Sequence, residues 1–160
     1  MEQKVLLNQM LTAIKNSKID ITSEKSTKEF AEKLTTYFGG GEHIFLYGDM
    51  GVGKTTFVRY FINKIQINDK LAISEVTSPT FNLLNEYKTN NLVIKHYDLF
   101  RIKNNSEIND LDIFEKNKNT ITLVEWPQII VNKKNTKSID LLFSYENEFK
   151  NRTVQIKVLN

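Results

Sequence analysis

Apolar positions change period several times along the chain, and each change marks out an element. Residues 5–14, VLLNQMLTAI, predict a short amphipathic helix ahead of the main fold. KIDIT (18–22) alternates as a short strand does. In STKEFAEKLTTYF (26–38), Phe30, Leu34 and Tyr37 fall at helical spacing behind an opening Ser or Thr, and the glycine run 39–41 ends the helix. HIFLYG (43–48) is a mostly apolar strand that runs straight into a glycine loop. Phe57, Phe61 and Ile65, four residues apart, make KTTFVRYFINKI (54–65) a helix.

The second half turns strand-rich. LAISEVTSPTF (71–81) predicts a strand leading to Pro79. FNLLNEYKT and LVIKHYDLF flank the pair Asn90-Asn91, whose tolerance of positive φ suits a β-hairpin. SEINDLDIFEKN (106–117) predicts a short helix. TITLVEW (120–126) is a nearly continuous apolar strand that ends in Glu125, and SIDLLFSYE and NRTVQIKVLN supply two more strands. Strands that alternate with helices early and form hairpins later predict an α/β fold: a P-loop NTPase-like three-layer sandwich around a mixed parallel and antiparallel sheet. The expected organisation is an N-terminal extension (1–18) followed by one domain (19–160).

Composition narrows the chemistry. The 160 residues contain no cysteine, which excludes disulfides, thiolate metal sites and a cysteine nucleophile. No run approaches the roughly 18 apolar residues of a spanning helix, and the N-terminus lacks a secretory h-region, so no membrane partner and a cytoplasmic location are expected. The net charge of +3 permits an acidic partner without demanding one. Of the 22 basic residues only Arg59, Arg101 and Arg152 are arginines, a poor supply for chemistry built on bidentate phosphate clamps.

Gly48-Asp-Met-Gly-Val-Gly-Lys54-Thr55 fits the phosphate-loop pattern G-x-x-x-x-G-K-[ST] without mismatch. Its glycines let backbone N–H groups of Gly48, Asp49, Met50, Gly51, Val52 and Gly53 turn toward phosphate oxygens, and the helix behind offers its positive end. Lys54 reaches the β and γ phosphates, and the Thr55 hydroxyl ligates Mg²⁺. Thr56 either touches an α-phosphate or begins the helix. Hydrolysis also needs an acid near the metal, and Glu125, at the C-terminal end of an apolar strand, stands at the edge where open α/β sheets bind ligands. Asp98, late in another apolar strand, is either a second site acid or a structural partner of Arg101. His43 and His96 read as ordinary strand residues, and Trp126 by its spacing as a core or rim aromatic.

A GTPase would need N-K-x-D, whereas NKKN (132–135) ends in Asn, and no D-x-x-G switch is present. A small P-loop metabolite kinase is the enzyme alternative, although such kinases usually carry an arginine-rich lid. The basic runs KNKNT and NKKNTK lack the interleaved aromatics of an RNA-binding module.

GDMGVGKTTF, SPTFNLLNEY, HYDLFR and LVEWPQ, in this order and at these separations, resemble the TsaE (YjeE) family of small bacterial P-loop ATPases in tRNA threonylcarbamoyladenosine synthesis. The resemblance runs from about residue 19 to the C-terminus. It implies ATP with Mg²⁺, and a TsaB–TsaD pair as partner. TsaD transfers threonylcarbamoyl to the adenosine beside the anticodon in tRNAs reading codons that begin with A; tRNA is met through the complex. ATP hydrolysis, slow without partners, resets that complex. By the same resemblance Glu125 is the acid of the Mg²⁺ site, and Trp126 lies near the nucleotide and the partner surface. Asp98 orders metal-bound or attacking water, and Ser78, Pro79 and Thr80 form a γ-phosphate-sensing switch. Ser23, Glu24 and Thr27 approach adenine, with Lys150 or Arg152 a late basic position of the ATP pocket. Asp112 stands where the family commonly has glycine.

Overall fold

A computed structural model describes residues 17–133 and 138–159. The helix expected over 5–14, most of the expected N-terminal extension and residues 134–137 of the second basic run lie outside these. Strands β1 (Lys18–Asp20), β2 (His43–Tyr47), β3 (Leu84–Lys88), β4 (Val93–Asp98), β5 (Thr120–Glu125), β6 (Ser138–Glu146) and β7 (Asn151–Leu159) form one sheet in the order β1-β7-β6-β2-β5-β4-β3. The β2–β5, β2–β6 and β4–β5 pairs are parallel, and the β1–β7, β6–β7 and β3–β4 pairs are antiparallel, giving the mixed sheet that the α/β pattern predicts.

Alternation along the central strands sorts side chains into two cores. Ile44 and Leu46 of β2 and Ile121 and Leu123 of β5 face helices α1 (Glu24–Thr35) and α2 (Lys54–Asn68). Phe45, Tyr97 and Val124 face the other way, under Leu99, Ile102, Ile108, Ile113 and Ile130. These come from a loop, from the short helix α3 (Asn105–Asn109) and from a 3₁₀ segment, Pro127–Lys133. The result is three layers. Phe57 meets Phe30 of α1 at 5.5 Å between ring centres, and Phe38 meets Phe61 at 5.8 Å, so the intervals of four on α2 supply the contact between the helices. Each fully buried Phe contributes about 1.5–3 kcal/mol. Burial pushes the Tyr97 phenol up to about 12, and its hydroxyl donates to the Leu111 carbonyl at 2.6 Å.

Three sequence expectations shift. Helix α1 begins at Glu24, two residues early, because Ser23 caps it: the Ser23 hydroxyl accepts from the Ser26 N–H at 3.0 Å, and the Ser26 hydroxyl accepts from the Ser23 N–H. Residues 71–81 form no strand. The Gln66 amide takes up the backbone there, accepting from the Ser74 N–H at 2.9 Å, while Pro79 has no N–H to give a ladder. Leu71, Ile73 and Phe81 are exposed, and Val76 and Pro79 alone of the segment are buried, which leaves no apolar face for a strand to cover. The helix expected over 106–117 is only Asn105–Asn109. Asp112, three residues past its end, takes the left-handed φ of 49°, which keeps a helix from running on to residue 117; glycine reaches that conformation most easily, and Asp tolerates it.

Candidate nucleotide site

Strand β2 ends at Tyr47, and the chain turns through Gly48–Gly53 into α2. Gly48 has φ 140°, and a Cβ there would lie 2.6 Å from the Phe143 carbonyl oxygen. Gly53 has φ 114°, and nothing lies within 4 Å of where its Cβ would stand, leaving open space before the helix. The first-turn N–H groups of α2 face that space without intrahelical acceptors. A loop of this shape fits an anion.

Lys54 is buried and its Nζ donates back to the carbonyls of Gly48 at 2.6 Å and Asp49 at 2.8 Å. The ammonium also lies 4.1 Å from the centre of the Trp126 ring. Burial lowers its pKa, while the charges of Glu125, Asp98 and Asp49 pull the other way. Trp126 takes φ 56°, turning the chain sharply after β5, and its ring lies over the Lys54 ammonium and packs against Phe100, 4.9 Å between ring centres and tilted by 53°.

Both acids stand at the C-terminal ends of parallel strands. Glu125, 2% exposed, accepts from the Thr55 hydroxyl at 2.9 Å on Oε1 and 3.1 Å on Oε2. His96 Nε2 lies 2.9 Å from the same Oε1. Asp98 Oδ2 accepts from the hydroxyls of Ser78 and, at 3.1 Å, of Thr80, and its Oδ1 accepts from the Phe100 N–H at 2.9 Å. Arg101 places its guanidinium over the Phe81 ring at 4.8 Å. A cleft of about 340 Å³ gathers Met50, Gly51, Gly53, Lys54, Thr55, Thr56, Ser78, Thr80, Asp98, Phe100, Glu125 and Trp126.

Most of the residues expected from sequence thus meet in one place. Val52 does not contribute its side chain, which is buried in the core behind the loop. The rest lie elsewhere. Ser23 caps α1, Glu24 holds Arg59 and Tyr60 of α2, and the Thr27 hydroxyl donates to the Ile21 carbonyl. Arg152 lies on β7, with its guanidinium 6.0 Å from the Tyr145 ring, and Lys150 lies in the β6–β7 turn. Beside the loop, a second cavity of about 600 Å³ is lined by Gly48, Asp49 and residues 143–149.

Three side chains escape the sequence reading. His96 is one; its two-residue spacing from Asp98 puts both on one face, but its partner on β5 depends on strand order. Phe100 carries no sequence signal beyond its place behind Asp98. Tyr145 reaches back to the loop, donating to the Met50 carbonyl at 3.3 Å.

The chemistry of the donor set fits Mg²⁺ held jointly with a phosphate ligand. A hydroxyl and a carboxylate, both hard oxygen donors, stand together beside the open loop. Among the described residues no cluster of three His, Cys, Asp or Glu could hold a metal unaided.

The family model "Threonylcarbamoyl adenosine biosynthesis protein TsaE" matches residues 21–154. The chain belongs to the TsaE family. Relatives named tRNA threonylcarbamoyladenosine biosynthesis protein TsaE include that of Rickettsia bellii, 39% identical over 115 residues, covering 72% of this chain and 77% of the relative. That of Aquifex aeolicus is 36% identical, covering 68% and 74%. That of Bacillus subtilis is 32% identical, covering 73% and 70%. The crystal structure of Bacillus subtilis YdiB superposes with a TM-score of 0.69 at 22% identity, covering 89% of this chain and 85% of that one, a likeness of fold. Among the described residues of this TsaE-family chain, no helix is long and apolar enough to cross a membrane.

Proposed function

We propose that the chain binds Mg-ATP in the loop Gly48–Thr55 and hydrolyses it in support of tRNA threonylcarbamoyladenosine synthesis, acting in the cytoplasm on a TsaB–TsaD pair. The observation that carries the ATPase reading is the Thr55–Glu125 hydrogen bond beside the open glycine loop. It joins the helix that follows the loop to the strand end that supplies the acid. Family membership carries the place in tRNA modification.

Each residue then has a role. The backbone of Gly48–Gly53 cradles phosphate, and Lys54 leaves the Gly48 and Asp49 carbonyls to meet the β and γ phosphates. Mg²⁺ would supply positive charge to the ATP phosphates, and Thr55 and Glu125 would hold it from the protein side, while Asp98 orders metal-bound water or the attacking water. That water's oxygen bonds to the γ-phosphorus as the bond to the β–γ bridging oxygen breaks, yielding ADP and phosphate. Ser78 and Thr80, flanking Pro79 and held to Asp98, sense whether the γ-phosphate is present. Trp126 lies between the nucleotide and the partner surface. Adenine is assigned to the side of Ser23, Glu24 and Thr27, with Lys150 or Arg152 as a late basic position of the ATP pocket; the Arg152 backbone lies beside that turn, its N–H donating to the Thr22 hydroxyl at 3.0 Å.

Lys54→Ala tests the loop directly. Among the described residues it removes the one ammonium lining the cleft, and Mg-ATP affinity measured by calorimetric titration falls at least about a hundredfold. Affinity within about twofold of the unsubstituted chain overturns the assignment.

A further inference from the structure

The ATPase account leaves one buried polar side chain of the site without a task. His96 on β4 is fully buried, and its Nε2 lies 2.9 Å from Glu125 Oε1, while its Nδ1 has no hydrogen-bond partner among the described residues. An ionised carboxylate only accepts hydrogen bonds, so the imidazole must carry its proton on Nε2 to make this contact.

The arrangement has a mechanical consequence. The terminal torsion of a glutamate is broad, so one hydrogen bond leaves its carboxylate free to swing. Glu125 on β5 is held from two elements: by the Thr55 hydroxyl from α2, and by His96 from β4. Asp98, two residues along β4, has its own partners in Ser78, Thr80 and the Phe100 N–H, so the second acid does not restrain Glu125.

We propose that His96 is a positioning residue for the ATPase reaction. Its Nε2–H fixes the Glu125 carboxylate so that Glu125 and the Thr55 hydroxyl present their oxygens together to Mg²⁺. This rests on the ATPase reading above. His96 touches neither nucleotide nor metal and acts through Glu125.

The test compares the unsubstituted full chain with His96→Leu, which removes the donor, and His96→Gln, whose amide N–H has a similar reach. Three quantities are read: kcat with the Mg²⁺ concentration for half-maximal hydrolysis, ADP affinity without metal, and the side-chain ¹⁵N spectrum of His96. His96→Leu lowers kcat by about tenfold or more, as loss of a hydrogen bond to a buried charge implies, and raises the Mg²⁺ requirement. Metal-free ADP affinity stays within about twofold, because the glycine loop and Lys54 are untouched. His96→Gln restores most of the lost rate, and the spectrum shows a proton on Nε2.

An unchanged kcat and Mg²⁺ requirement in His96→Leu overturns the proposal. So does an equal loss of metal-free ADP affinity and rate in both variants, which marks a purely structural histidine, and so does an unprotonated Nε2. Where His96→Leu fails to fold, His96→Gln and the spectrum decide. An unsubstituted chain that neither binds nor hydrolyses ATP contradicts the ATPase reading, and this proposal with it; normal hydrolysis in every variant contradicts this proposal alone.

Discussion

Asp98 and Glu125 stand opposite one another in the register of the parallel pair β4–β5, each the last residue of its strand. Residues opposite in register share a face of the sheet, so both carboxylates point to the side that carries α2 and the glycine loop. Two acids with separate hydrogen-bond sets then flank the space in front of Lys54. Glu125 answers to Thr55 and His96, and Asp98 to Ser78 and Thr80. That division supports different tasks, one at the metal and one at the water.

Glu125→Ala separates binding from turnover. Lys54 and the glycine loop remain, so ADP affinity stays within about threefold, while ATP turnover at saturation falls at least about a hundredfold. Steady-state phosphate release beside a fluorescent-nucleotide titration checks both. Unchanged turnover shows that another acid serves the metal.

Gly48 and Gly53 predict unequal costs for the same substitution. Alanine at Gly48 would set its Cβ 2.6 Å from the Phe143 carbonyl oxygen and 2.9 Å from the Phe143 Cβ, at a φ of 140°. Alanine at Gly53 carries the strain of a positive φ and meets nothing within 4 Å. Gly48→Ala therefore destabilises the chain by about 2–4 kcal/mol in urea unfolding, and Gly53→Ala by about 1–2 kcal/mol. Equal losses would show that the packing of β6 against the loop is looser than the structure has it.

His43 predicts a pH dependence of stability. It is buried on β2, its Nε2 lies 2.8 Å from the Ile113 carbonyl oxygen, and burial lowers its pKa below the ordinary 6.5. In the window between that lowered value and 6.5 the unfolded chain binds more protons than the folded one. Stability therefore rises with pH through the window and falls as the solution is acidified from neutrality, by at most about 1.4 kcal/mol per pH unit from this one group. His43→Gln flattens that part of the profile. Urea midpoints across the window check the slope, and an identical slope in the variant assigns it to other groups.

Some of this was legible in residue order and some was not. The loop from Gly48 to Thr55 depends on neighbouring residues alone, and the apolar run before Glu125 marks a strand buried on both faces, so both read directly. The Asp98–Glu125 register and the His96 contact depend on which strands lie side by side, which one chain's periodicity does not encode. Residues 71–81 mislead for a related reason: Leu71, Ile73 and Val76 suggest a strand, but the Ser74 N–H goes to the Gln66 side chain and Pro79 has no N–H to give a ladder. From sequence Asp98 reads as either a second site acid or a structural partner of Arg101; the fold gives it Ser78 and Thr80 as partners, while the Arg101 guanidinium lies over the Phe81 ring.

A glycine loop that drives a partner-coupled ATPase is tested by phosphate release from Mg-ATP by the purified chain, alone and with a TsaB–TsaD pair. Release alone is slow and rises about tenfold or more with the pair, an increase lost in Glu125→Ala. Release indifferent to the pair, with phosphate passed instead to an added metabolite, would contradict it and favour a small P-loop kinase.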